Sequence, residues 1–270
     1  MVRRATTQGR KTDTIPVMEE QQMSFWEHLD VLRGVLVRIC VAALVCAVAA
    51  FCFKDNLFAL LLAPNSPDFF LYRLLARIMP DMAFPAAAIE IINTGLADQF
   101  TIHIKTACYV GLVCVSPYIL YALLRFIAPA LYTREKHYVY RLVGWGYLLF
   151  MMGVVLSYCV IFPFAFRFLG TYQVSADVVN KITLQSYMST FWTMALLMGL
   201  LFELPVVCWT LGQLGLLSAP LMRRYRRHVI VVILILAAVI TPTTDVFTLM
   251  LVSLPIYFLY EVSVLLVPKS

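Results

Sequence analysis

Residues 106–124 and 142–166 contain no charged side chain at all, and residues 34–53 contain one, Arg38. A helix needs about 20 apolar residues to cross the roughly 30 Å hydrocarbon core of a bilayer. Any fold of this chain must place several such stretches where no water reaches their backbones. Further stretches follow. Residues 182–222 carry a single charge, Glu203, and hold a span near 187–211 followed by a turn at 212–220. Residues 229–241 and 246–267 close the series, separated by a turn at 242–245 and with Glu261 near the end of the last. The pattern predicts an all-α, polytopic membrane protein with six transmembrane helices. The composition agrees: 62% of residues are hydrophobic and 13% charged, against about 25% charged in a soluble domain.

The fifth and sixth spans are short. Thirteen apolar residues reach about 20 Å, and in the last span only residues 246–260 are free of charge, with Pro255 among them. Short spans thin the bilayer locally or pair with neighbours. Residues 1–22 read as a disordered cytoplasmic tail, and 23–270 as one membrane domain.

Cation placement sets the orientation. The segments 125–141 and 223–227 hold eight Lys and Arg, whereas 54–105, 167–186 and 241–245 together hold six over a greater length. The basic loops stay in the cytoplasm, so both termini are expected there. Seven cysteines lie in apolar runs with no C-x-x-C pair and read as small buried apolar residues. No G-x-S-x-G, H-E-x-x-H or P-loop motif occurs and the four histidines share no metal spacing, so neither an enzyme, a metal site nor a cofactor is expected.

Glu203 is the most informative single residue, because a carboxylate within a span costs several kcal/mol and normally faces protein or a watery cavity. Pro205 loosens the backbone beside it. Ahead of the first span, SFWEHLDVLR predicts an amphipathic interfacial helix with Phe25, Leu29, Leu32 and Leu36 along one face. Ser24 and Glu27 there also fit a capping box. After the second span, Phe126 and the Arg134-Glu135-Lys136 triplet mark the edge of the membrane.

HLDVLR at 28–33, Ile104-Lys105, FIAPALYTREK at 126–136, FELPV at 202–206, and TPTTDVF with LPIYFLYEVSV within 241–264 together resemble the TatC family, the receptor subunit of the twin-arginine protein translocase. The resemblance covers roughly residues 24–268. It implies binding of the twin-arginine signal peptides of folded precursors at the cytoplasmic face of a bacterial inner membrane. It further implies TatA-like and TatB-like single-span partners, a homo-oligomeric TatBC-type complex in membrane lipid, and translocation driven by the proton-motive force. Nucleic acid has no place in it. By resemblance Glu135, Phe126 and Arg134 lie at the signal-binding site, Glu203 at an intramembrane contact with a partner helix, and Lys105, Pro205, Asp245 and Glu261 at positions the family commonly fills with these types. The family's HLEELR carries a second signal-binding acid where this chain has Val31. Asp30 lies about 100° round the helix from that position, while Glu27 lies one turn before it on the same face, so Glu27 is the expected substitute. The rival reading is a proton-coupled small-solute transporter using Glu203. It expects an internal repeat, which the sequence lacks.

Overall fold

The structure is a computed structural model that describes residues 25–78, 89–127, 136–173, 175, 180–241 and 246–268. The sequence-predicted tail at 1–22 and the turn at 242–245 lie outside them. Helix α1 (Phe25–Cys52) runs without a break from the HLDVLR segment through the first span. The expected separate interfacial helix is instead the first turns of a transmembrane helix, since nothing between Phe25 and Cys52 except Gly34 opposes helix. Arg38 is exposed on α1, and its guanidinium lies beside Gly34, one turn back toward the charged end, as a snorkelling arginine does.

Helix α2 (Lys54–Leu62), a 3-10 turn at Ala63–Asn65 and helix α3 (Phe70–Ile78) follow. Strand β1 (Ile91–Ile92) leads into α4 (Asp98–Ile127), the second span. Pro117 inside α4 frees the carbonyl of Val113, and the Ser116 hydroxyl donates to that oxygen at 2.7 Å. The repair matters because no water is available to replace a lost backbone bond there.

The third span joins α5 (Lys136–Leu156) through a π-helical turn at Ser157–Ile161 to α6 (Phe162–Thr171). Pro163, in the first turn of α6, has no N–H to donate, which accounts for the local change of hydrogen-bond step. Strand β2 (Ile182–Thr183) pairs in parallel with β1, Ile91 opposite Ile182 and Ile92 opposite Thr183. Helices α7 (Leu184–Phe202) and α8 (Leu204–Gln213) form the fourth span. The chain then turns through Gly215 at φ 72°, the left-handed region that glycine enters without steric cost.

Helices α9 (Ala219–Ile240) and α10 (Val246–Leu266) pack against each other, and α10 also packs on α8. The arginines of 223–227 are part of α9 rather than a loop, so the fifth helix is 22 residues long although its apolar portion is short. Tyr260 Oη donates to the carbonyl of Met222 at 2.7 Å and fastens the two. Among the described residues five stretches are long and apolar enough to cross a membrane: Leu29–Cys52, Asp98–Arg125, Arg141–Thr171, Leu184–Gln213 and Thr248–Leu266. Among the described residues the cysteines are free, and Cys40, Cys52, Cys108 and Cys114 lie on exposed helix faces rather than in the core. The outer face of a membrane helix is as apolar as its inner one, so a small apolar residue has no need of burial.

Two close crossings set the helix arrangement. A Cβ on Gly111 of α4 would lie 2.6 Å from the carbonyl oxygen of Ala43 in α1. A Cβ on Gly153 of α5 would lie 2.6 Å from Met198 O and 2.9 Å from Gly199 Cα in α7. Small residues that let backbones touch are how membrane helices gain packing energy when lipid is as apolar as leucine. At the far end of the bundle, the loop carrying α2 is held by hydroxyls. Tyr158 donates to Leu60 O at 2.8 Å and Tyr187 to Leu61 O at 2.9 Å. Tyr72 donates to Pro64 O at 2.9 Å, and the buried Arg167 guanidinium donates to Asn65 O and stacks over the Tyr72 ring at 4.7 Å. These donors meet carbonyls at the end of a helix, where a cation is also favoured by the dipole. Burial pushes the Tyr72 phenol above its usual value, with Arg167 pulling partly the other way, so it remains a donor at all physiological pH.

Replacing Gly153 by Ile should separate α5 from α7. The expected cost is about 1–3 kcal/mol, as for other overpacked cores, seen as a lower thermal midpoint in detergent. Gly144→Ala, where nothing lies within 4 Å of the added Cβ, should leave the midpoint unchanged.

Candidate functional site

Glu203 stands at the junction between α7 and α8, closing the first and opening the second. Its N–H still bonds Leu200 O at 3.1 Å, and its carbonyl accepts from Val207 N at 3.0 Å. Pro205 falls in the first turn of α8, where the missing donor is least costly. The expected loosening at Pro205 therefore takes the form of a break in the helix at the carboxylate itself.

The Glu203 residue is 5% exposed, and neither carboxylate oxygen has a hydrogen-bond partner among the described residues. The neighbours explain its position. A Cβ on Gly146 of α5 would lie 3.0 Å from Oε2, and Leu120 of α4 borders the same gap. Gly146 and Gly153 are seven residues apart on one face of α5, so the crossing that brings α5 onto α7 also opens room for the carboxylate. Leu200 and Val207, which flank Glu203 on its face of the helix, are 63% and 48% exposed. The carboxylate thus lies just beneath a stripe that faces outward.

Gly146 is five residues beyond Arg141, so Glu203 is about 8 Å deeper than the charged start of α5. That is nearer one membrane face than the midplane, where secondary transporters place their sites. Nor does Glu203 meet the polar partners that the solute-transporter reading expects.

The other sequence-predicted residues divide between the two ends. Gly111 meets Ala43 and Ala47, and Phe51 stacks on His103 at 3.9 Å, so α1 and α4 run antiparallel. The last turn of α4, with Phe126, is therefore level with the first turns of α1, with Glu27 and Asp30. Asp30 is exposed, and so is Val31, at 44%. Arg134, Glu135 and Asp245 lie outside the described residues. Lys105 is exposed near the start of α4, toward the opposite end. Glu261 is not free: Arg226 of α9 donates to its Oε2 at 2.9 Å. With both side chains partly exposed, at 43% and 31%, such a pair contributes about 0–1 kcal/mol and mainly fixes how α9 sits on α10.

Sequence reasoning missed Gly146 and Leu120 as neighbours of Glu203, and Arg226 as the partner of Glu261. The seven-residue spacing of Gly146 and Gly153 is the signal that could have found the first.

Residues 27–255 match the family model for the Sec-independent protein translocase protein (TatC). The chain belongs to the TatC family. A TatC protein of Blattabacterium sp. subsp. Periplaneta americana is 31% identical over 254 residues, covering 91% of this chain and 95% of that protein. One from Aquifex aeolicus is 31% identical over 247 residues, covering 90% and 94%. A solved structure, "Crystal Structure of Twin Arginine Translocase Receptor- TatC", superposes with a TM-score of 0.69 at 30% identity, over 89% of this chain and 97% of that one. The chain is accordingly an all-α, multi-pass membrane protein and a component of the Sec-independent protein translocase. The family is one of transport proteins rather than of enzymes.

Removing the unpaired carboxyl should relieve a buried polar group. Glu203→Leu is expected to raise the thermal midpoint of the purified protein, by an amount equivalent to about 1–3 kcal/mol, while export of a folded twin-arginine substrate falls to background. Lowered stability together with intact export would contradict the site.

Proposed function

We propose that this chain is the signal-receiving core of a twin-arginine translocase in a bacterial inner membrane, binding twin-arginine signal peptides of folded precursors at its cytoplasmic face. The observation that carries this reading is the convergence at one end of the bundle of the start of α1, the end of α4 and the start of α5. Glu27 and Asp30 on α1 and Phe126 on α4 belong to that end, and the family resemblance adds Arg134 and Glu135 to the same site. A carboxylate can take a guanidinium through two parallel hydrogen bonds, and a lysine cannot reproduce that geometry. The end is cytoplasmic on the basis of its cations: Arg125, Arg141 and the four arginines of α9 lie there. Both termini then face the cytoplasm, with α9 as the remaining span of six in a single domain over 23–270.

The partners follow from Glu203. A buried carboxylate beneath an outward-facing stripe is completed by a polar group on another membrane helix, as a TatA-like or TatB-like single-span subunit would bring. The short apolar part of α9 thins the adjacent bilayer to suit such a helix, within a homo-oligomeric complex powered by the proton-motive force.

Binding of a twin-arginine signal peptide to the purified protein tests the receptor role, beside the same peptide with both arginines changed to lysine. The expected result is strong preference for arginine, lost in Glu135→Gln; equal binding of the two peptides would overturn the reading. The exposure of Val31 supports Glu27, on the same face, as the second contact. Glu27→Gln should therefore weaken binding more than Asp30→Asn does, and the reverse order would assign that contact to Asp30.

A further inference from the structure

Helix α3 has two faces of different character. Leu71 and Tyr72 are buried and, with Phe69, pack against Tyr158 and Phe164 of the third span. The opposite face holds Phe70, Leu74 and Ile78, exposed at 47%, 48% and 62%, with Arg73 and Arg77 interleaved and also exposed. Neither arginine forms an ion pair among the described residues. Three large apolar side chains on one exposed face of a nine-residue helix are unsuited to water.

The depth of α3 says what covers them. Its contacts on the third span, Tyr158 and Phe164, lie about 20 Å and about 10 Å before that helix ends at Thr171. Tyr72 Oη reaches the carbonyl of Pro163 at the same level. Counted from Arg141 at the charged start of that span, Tyr158 lies about 26 Å and Phe164 about 35 Å along the helix, so α3 packs at the far edge of a roughly 30 Å hydrocarbon core. The helix is also held rigidly there, by the Tyr72 and Arg167 contacts to the 3-10 turn. The exposed face of α3 therefore sits at the headgroup boundary of the leaflet at that edge, where apolar side chains reach the acyl region and long arginine stems bring their guanidinium groups to the headgroups.

We propose that α3 is a lipid-binding element of the leaflet opposite the signal-receiving end. Phe70, Leu74 and Ile78 insert among acyl chains while Arg73 and Arg77 hold the phosphate of an anionic phospholipid. A guanidinium pair matches a phosphodiester as a bidentate donor, and cations near an anionic surface are drawn to it. The site is independent of signal binding and of Glu203.

The test places p-benzoylphenylalanine at Leu74 in the full chain, reconstituted in nanodiscs containing equal phosphatidylcholine and phosphatidylglycerol. After irradiation, lipid adducts on the peptide carrying α3 are measured by mass spectrometry. Adducts enriched in phosphatidylglycerol by about fivefold are expected, with the ratio returning to that of the membrane in R73Q/R77Q. Inorganic phosphate added in excess should not change the ratio, since the ligand is a headgroup anchored by its chains. Absence of lipid adducts would overturn the membrane placement. Adducts in the ratio of the bulk lipid in the unaltered arginine form would overturn the anionic site, and displacement by phosphate would show a site for free phosphate instead.

Discussion

The contact between Gly153 and the backbone at Met198 and Gly199 is the constraint on which the rest of the bundle depends. In lipid there is no hydrophobic force to push two helices together, so the gain must come from close packing. Glycine supplies it here from both sides: Gly199 faces Phe150 and Val154 as closely as Gly153 faces Met198. Once α5 and α7 touch at that level, two turns toward the charged end Gly146 stands opposite Glu203. The same crossing seats Phe162, Met194, Ala195 and Met198 in the core, together with Val252 and Ile256 of α10. The groove at Glu203 and the core beside it are two consequences of one backbone approach.

The two ends of the bundle handle their polar groups in opposite ways. At the end bearing α2 and α3, tyrosine hydroxyls, an arginine and the Asn65–Ile89 bonds satisfy the carbonyls and amides of a folded-back loop. The parallel pairing of β1 with β2 ties the loop before α4 to the loop before α7. At the other end a carboxylate is left without a partner, and acidic and basic side chains are exposed. A carboxylate left without a partner beneath an outward stripe fits a protein that receives other chains at that side.

Much of this was legible in the sequence. Uninterrupted apolar length marked the spans, because in a bilayer nothing else satisfies a backbone. Glu203 stood out because an intramembrane charge is costly, and Pro205 announced the break beside it. The union of HLDVLR with the first span was not legible, since hydropathy falls at a membrane surface while helical propensity does not. The length of α9 was hidden for the same reason: four arginines read as a loop but are good helix formers. The loop architecture was least visible of all. Tyr158, Tyr187 and Arg167 act on carbonyls roughly a hundred residues away in the chain, and no local pattern encodes which backbone oxygen a hydroxyl will find.

The most direct test of the central claim is photo-crosslinking from Leu120, beside Glu203, in membranes that also contain the proposed single-span partners. A photoreactive residue there should capture the transmembrane helix of a partner subunit, and Glu203→Leu should abolish that capture while leaving the fold intact. Capture of lipid alone, or of the same partner helix regardless of Glu203, would contradict the account.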